Sequence, residues 1–422
     1  MIDLVAAIEL VERTAAPLPP RRQRLADARG RWLAAPVVAD CDSPPFDRAM
    51  MDGFAVTAAD FAGATGAEIV ELEVMADLAA GDVTTTAVRP GGCMRIMTGA
   101  PLPPGADAVV PVECAVDGTA DVHAGGRVRL RDDRFRPGQH VGRQGTAFRR
   151  GLEVLHAGDV LSPAAVGLAA EAGATHVVVR PRVRVAILST GSELVPCDAV
   201  PAAGQTRNSN APMLAAACAA LDAEPIDLGI APDRAEPLRA AVAQGLAADV
   251  LVLSGGVSAG DLDLVPATFA ACGVEQVFHK VRLKPGKPVW FGILRRAAAT
   301  PTLVFGLPGN PASSLVCFEL FVRPAIRILS GASRDRWHLP RATARLVAAV
   351  KSPPDRPVYL PCRITRAGAV LEAEPLPWTG SSDLVGLATA DGLLALPAGG
   401  RHEPGDDVEV LLDDTLQSQP LA

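Results

Sequence analysis

Lysine is almost missing from this chain: the 40 basic residues include only Lys280, Lys284, Lys287 and Lys351, and three of the four fall between positions 280 and 287. Asparagine is as scarce, confined to Asn208, Asn210 and Asn310. Arginine and alanine dominate instead, so a lysine strip that persists against this drift is a candidate for function. The eight cysteines stand singly without a C-x-x-C pair, and the seven histidines show no H-x-x-x-H spacing. Both absences argue against a sequence-local zinc site, and the scattered cysteines against a disulfide framework. Positive charge is in deficit: the net charge is -7 and the pI about 5.6, which argues against a general nucleic-acid binder. An anionic ligand would have to be held by a local cluster of donors. No basic segment precedes an apolar run at the N-terminus, and no stretch of eighteen uninterrupted apolar residues occurs, so the expectation is a cytoplasmic protein with neither secretory signal nor membrane span.

What is present is material for several cores. The 422 residues, 49% hydrophobic and 21% charged, match three or four globular domains. Residues 1–38 read as helical: Leu4, Val5, Ile8 and Val11 share one face, Leu25, Arg29 and Trp32 continue a second helix, and Pro36 ends it. From Ser43 to Arg136, short apolar runs alternate with Gly/Pro clusters, a small β-rich unit. A helix opened by Ser162 and Pro163 follows, so the β unit reads as an insertion within one helical domain. Residues 182–330 alternate strands and helices, with Asp233 and Glu236 at capping-box spacing and Asn310-Pro311 opening the last helix. This predicts a central, doubly wound, mostly parallel sheet covered on both faces. A second small β domain follows from about 340. The expected boundaries are 1–42 with 139–180 (helical), 43–138 (inserted β), 181–332 (α/β) and 338–413 (β-barrel).

In open α/β sheets, ligands bind beyond the carboxyl ends of the strands. After the first strand lies Ser189-Thr190-Gly191-Ser192-Glu193; after the third, Ser254-Gly255-Gly256-Val257-Ser258-Ala259-Gly260-Asp261-Leu262-Asp263; after the last, Gly306-Leu307-Pro308-Gly309-Asn310-Pro311. Glycine lets backbone N–H groups approach phosphate oxygens, so Gly255, Gly256 and Gly260 suit an anion cradle. Asp261 and Asp263 are spaced to reach a Mg²⁺ bridging phosphates. Neither a Walker loop nor a G-x-G-x-x-G turn is present. The strip Lys280, Lys284, Lys287 offers compact charges suited to a tetrahedral oxyanion; the competing reading is a solvated basic turn.

Six ordered segments resemble the molybdopterin molybdenumtransferase family (MoeA and the E domain of gephyrin): P-P-F-D-x-x-x-M-D-G-F-A-V at 44–56, M-T-G-A-P at 97–101, S-T-G-S-E-L at 189–194, S-G-G-V-S-x-G-D-x-D at 254–263, K-x-x-x-K-P-G-K-P at 280–288 and G-L-P-G-N-P-A-S at 306–313. The resemblance implies a helical domain carrying an inserted β domain, a nucleotide-binding α/β domain, a C-terminal β-barrel and an elongated homodimer. In that dimer the cleft lies between one subunit's α/β domain and the partner's inserted domain. It implies insertion of molybdate into adenylylated molybdopterin with release of AMP, in a Mg²⁺-dependent reaction. Possible partners are the upstream adenylyltransferase and the recipient apo-molybdoenzymes. Asp52, Thr98, Glu193, Asp233, Asp263, Lys280 and Lys284 match family functional positions. We expect Asp263, with Asp261 and Glu193, at the metal; Lys280 and Lys284 at molybdate or a terminal phosphate; and Asp52 and Thr98 entering from the partner. Ser254, Gly255, Gly256, Ser258, Gly260, Lys287, Pro308, Gly309 and Asn310 are expected around the nucleotide. Arg363 and Ser381 match anion-contacting positions on a poorer motif. Asp233 serves equally well as a helix cap. The chain departs from the family where Gly145-Thr146-Ala147 replaces Gly-Glu-Asp, and where Ala49 and Phe54 replace Ser and Tyr. The lost carboxylates keep open a non-catalytic paralogue that binds the cofactor or acts as a scaffold.

Overall fold

A computed structural model describes residues 1–62, 68–257, 264–296 and 299–412. Helix α1 (Leu4–Thr14) is capped by Asp3, whose carboxylate accepts from Val5 N. Its buried face, Leu4, Ala7 and Val11, belongs to the core of the large α/β sheet. The second helix expected over Leu25–Trp32 does not form. Arg21–Arg24 instead pairs as a strand with His176–Val179, Leu25–Asp27 makes one 3-10 turn, and Gly30 at φ 78° turns the chain away. An apolar partner strand supplies tertiary pairing that overrides the helical periodicity read from sequence. The helix read at Ser162 is present as α2 (Pro163–Glu171), with Ser162 accepting from Ala165 N at 3.2 Å.

The inserted unit holds strands β1 (Gly53–Val56), β2 (Val70–Leu78), β3 (Gly92–Ile96), β4 (Ala108–Pro111) and β5 (Arg127–Leu130), in a five-stranded sheet of order β4-β1-β3-β2-β5. Its core of Phe54, Leu72, Val110 and Val128 is separate from that of the large sheet.

The α/β unit comprises strands β6 (Arg184–Thr190), β7 (Glu224–Ala231), β8 (Val250–Ser254), β9 (Glu275–His279), β10 (Trp290–Arg296) and β11 (Ala299–Leu307). They form a six-stranded sheet of order β7-β6-β8-β11-β10-β9. Pairings β6–β7, β6–β8 and β8–β11 are parallel; β10 runs antiparallel to both β11 and β9. The helices are α3 (Asn210–Ala220), α4 (Ala235–Gly245), α5 (Leu264–Ala271), α6 (Pro311–Cys317) and α7 (Arg323–Leu329). Alternate residues of β6 feed opposite cores, as the period of two requires. Val185 and Ile187 face α1, α3, α6 and α7; Ala186 and Leu188 face α4 and α5. The helix expected over 312–329 is α6 and α7 joined by a π-helical turn, Phe318–Val322.

Strands β12 (Arg341–Leu346), β13 (Val358–Ala367), β14 (Val370–Pro375), β15 (Gly392–Leu396) and β16 (Asp407–Leu412) close a C-terminal barrel. Among the described residues no helix is long and apolar enough to cross a membrane.

Candidate active site

Because β9 runs parallel to β6, β8 and β11, and β10 returns from the same edge, the loop 280–289 lies at the carboxyl end of the sheet beside the glycine loops. Two further contacts fix it there. Ile2 N donates to Lys280 O at 3.0 Å, and Tyr359 N of β13 donates to Lys284 O at 2.8 Å. His279 Nε2 lies 3.3 Å from the Val257 carbonyl; a carbonyl only accepts, so Nε2 carries the proton. Burial pushes the His279 pKa down, with the bond to Val257 opposing it. This histidine links the loop after β8 to the lysine loop.

The glycine cradle is built by close backbone approach. Gly255 adopts φ 99°, and a Cβ there would stand 2.3 Å from the Thr190 carbonyl oxygen, so no side chain fits. Gly255 N donates to Leu307 O, tying the β8 and β11 ends. Ser254 Oγ lies 3.2 Å from Ser189 Oγ, which donates to Asn208 Oδ1 at 3.1 Å. Ser258, Gly260, Asp261 and Asp263 lie outside the described residues.

Asp233 is not the cap of α4. That position belongs to Arg234, whose side chain makes no capping bond. The Asp233 carboxylate accepts from Thr190 Oγ1 at 2.8 Å and Ser192 N at 3.1 Å, two donors of the loop after β6 that take the place of helix N–H groups. Asn310 stands at the N-cap of α6 without capping it. Its amide donates to Ser381 Oγ at 2.7 Å, and Ala312 N donates to Ser381 O, so the C-terminal domain is fastened to the start of α6. Asn210 Nδ2 donates to Gly309 O at 2.8 Å.

These loops enclose a cleft of about 1040 Å³ whose walls include Glu193, Asp233, Ser254, Gly255, Gly256 and Gly309, with Arg207 as the cation among its described lining residues. A cavity of about 470 Å³ adjoins it through Pro288, Pro308 and Asn310 and presents Lys284, Lys287, Arg356, Trp378 and Ser381. None of Lys280, Lys284 and Lys287 forms an ion pair with a described carboxylate. Trp378 Nε1 is buried there without a hydrogen-bond partner; such a donor is costly to leave unmade and fits an acceptor-rich ligand. Arg356 Nε lies 3.2 Å from the carboxylate of its neighbour Asp355.

Not every expected residue gathers here. Lys280 adopts φ 67°, and its side chain is not in the lining of either cavity. Arg363 lies exposed on β13 opposite Glu374, and the guanidinium in the cavity is that of Arg356. Asp52 and Thr98 sit together on the inserted sheet, outside this chain's own cleft. Gly53 lets the strand press so close to Val110 O that a Cβ would come within 2.0 Å. Thr98 donates to Asp52 Oδ1 from both N (2.7 Å) and Oγ1 (2.8 Å). The Thr98 N–H and then its hydroxyl hold the Asp52 carboxyl below the usual range. Phe46, Met50 and Met51 are exposed beside them. Ala147 is exposed on the segment that borders Ser43 and Pro44, with its N–H donating to Ser43 O. Sequence reasoning passed over Arg207, Arg356 and Trp378, and marked Asn210 only for its scarcity. Arginine is too common here to stand out, and Trp378 belongs to no motif.

A doubly wound sheet with a glycine-walled cleft at its carboxyl edge, flanked by lysines that make no ion pair among the described residues and adjoined by a barrel, defines an α/β protein with accessory domains whose site suits anions. Residues 2–173 match the MoeA N-terminal region (domain I and II), 186–328 a probable molybdopterin binding domain, and 343–412 the MoeA C-terminal region (domain IV). The chain is 38% identical over 402 residues to molybdopterin molybdenumtransferase 2 of Mycobacterium tuberculosis, covering 93% of each. It is 35% identical over 390 residues to the molybdopterin molybdenumtransferase of Bacillus subtilis, covering 92% of this chain and 88% of that one. A crystal structure of a molybdopterin biosynthesis MoeA protein from Pyrococcus horikosii is similar across 98% of this chain and 99% of that one, with TM-score 0.78 at 30% identity. The chain belongs to the MoeA family of molybdopterin molybdenumtransferases.

Proposed function

We propose that this protein completes the molybdenum cofactor: it transfers molybdenum from molybdate to adenylylated molybdopterin and releases AMP. The observation that carries this reading is the adjacency of two cavities. One is walled by Gly255, Gly256 and Gly309, and the other presents Lys284, Lys287 and Arg356, an arrangement that suits two anionic reactants side by side in an acidic molecule. Lys284, Lys287, Arg356 and Ser381 hold the tetrahedral oxyanion. Ser254, Gly255, Gly256 and the Pro308–Asn310 turn carry the pyrophosphate. Hydrolysis of the phosphoanhydride consumes one water and gives AMP. Forming two Mo–S bonds from molybdate and two thiols expels one oxo group with both thiol protons, as water. Asp233, held by Thr190 and Ser192, is a fixed acceptor in the cleft.

Mg²⁺ suits the oxygen donors available. Glu193 is an exposed cleft carboxylate with no hydrogen bond or ion pair among the described residues, and it would hold the ion with Asp261 and Asp263. When bound, the ion neutralises phosphate charge. Asp52 and Thr98 reach the cleft from the partner in a homodimer. The substrate would arrive from an adenylyltransferase, and the product would pass to apo-molybdoenzymes.

The test is to mix purified protein, Mg²⁺, molybdate and adenylylated molybdopterin, then to measure AMP and the reactivation of an apo-molybdoenzyme. AMP release with reactivation is expected. Tight binding of the substrate without AMP above the protein-free control would select a binding or scaffold role instead.

A further inference from the structure

A third cavity, of about 540 Å³, opens beyond β7 and continues the row: it shares Gly191, Leu194 and Asn208 with the glycine-walled cleft. Its volume is in the range of about 300–1,000 Å³ usual for ligand sites. Its chemistry is the reverse of its neighbours'. Leu194, Pro196, Pro212, Ile230 and Pro232 supply apolar walls, no cation is among the described lining residues, and the one carboxylate is Asp227. A phosphate or molybdate is repelled here, and a neutral ring with N–H donors on one edge is favoured.

The edge strand is shaped to present that carboxylate. Ile187 pairs with Asp227 and Ser189 with Ile230, so Leu228 and Gly229 bulge out opposite Leu188 alone. Gly229 takes φ 75° and its N–H donates to Asp227 Oδ1 at 2.8 Å. Bulges of this kind re-aim side chains at the rims of sheets. The bond fixes the carboxylate against its own strand, and Asp227 makes no ion pair among the described residues.

We propose that this pocket takes the pterin ring of the substrate, with Asp227 accepting from the exocyclic 2-amino group and the adjacent ring N–H. The inference rests on the molybdopterin reading above and adds the direction of binding. The heterocycle lies at the β7 end, the pyrophosphate over Gly255 and Gly256, and the oxyanion at Lys284. Cys197, an exposed thiol in the pocket wall, reports occupancy.

Pterin itself is the probe, followed by its own fluorescence, with lumazine, which carries oxygen in place of the 2-amino group, as the control. Pterin should bind the intact protein, and lumazine about tenfold or more weakly. Asp227→Asn should lower pterin affinity roughly 10- to 100-fold while AMP affinity stays unchanged. Pterin should also protect Cys197 of the unmodified protein from iodoacetamide, a readout independent of any variant. Asp227→Asn with undiminished pterin affinity, or with a loss of AMP affinity instead, overturns the assignment. The titration needs no turnover, so it separates from the functional reading. AMP release by the intact protein with an unchanged substrate KM in Asp227→Asn would discard the pocket and keep the function. Pterin protection without AMP release would keep the pocket and discard the function.

Discussion

Asp52 carries its charge to lower pH than an ordinary carboxyl because Thr98 donates to it twice. Replacing Thr98 with valine leaves the backbone donor and removes the hydroxyl, so the Asp52 pKa should rise while staying below its value in a peptide; ¹³C NMR titration of the carboxyl measures it. His279 works with the opposite sign of charge. Its folded pKa is depressed from 6.5 by burial, so the neutral form is favoured in the fold. The stability this contributes is present above the unfolded pKa and is lost as pH falls through the folded one. Thermal midpoints measured from pH 7.5 downward should fall more steeply for the native chain than for His279→Gln. Thiol chemistry sorts by burial as well: desolvation raises Cys93, Cys218 and Cys362 to about 12, so in the native protein the exposed Cys41 and Cys197 should be alkylated first, as peptide mass spectrometry would show. Much of this scale was legible. Scarcity singled out Lys284 and Lys287, and the glycine runs singled out Gly255 and Gly256. The role of Asp233 was not decidable, because a cap and a loop anchor share one local pattern and differ only in where Thr190 folds.

Among the elements, the parallel strands and their helices were readable from apolar runs of the right length. β9 and β10 were found as strands, yet the antiparallel course of β10 was hidden: a buried strand's pattern does not encode its direction. The misread second helix has the same origin, since His176–Val179 pairs with Arg21–Arg24 from more than 150 positions away. One tie between the opening segment and the α/β unit is open to direct measurement. Arg31, with 8% of its side chain exposed, ion-pairs with Asp222, which also pairs with Arg182. Asp222→Ala would leave a buried guanidinium without its counter-ion. Removing one partner of a fully buried pair costs about 3–5 kcal/mol; with Asp222 one-third exposed, about 2 kcal/mol is the expected loss in denaturant unfolding. A loss within 0.5 kcal/mol would mean the clamp is idle.

For the whole molecule, the six segments that resemble the MoeA family lie on two separate units, and the fold explains why spacing alone could not assemble them. Four segments meet at one sheet edge. The two carried by the inserted domain, with Asp52 and Thr98, do not reach this chain's own cleft, which is why we propose a shared site in a dimer. Combining Asp52→Ala and Lys284→Ala chains should then restore activity. Half of randomly formed dimers are mixed and one of their two sites is intact, giving about a quarter of the native rate; no recovery would place both residues in one subunit's site. The claim on which these readings converge is that Lys284 holds the second anion beside the glycine cradle. It is tested most directly by single-turnover AMP release from adenylylated molybdopterin and molybdate with the Lys284→Ala protein. A fall of roughly 100-fold or more at an unchanged thermal midpoint is predicted, and release at the native rate would contradict it.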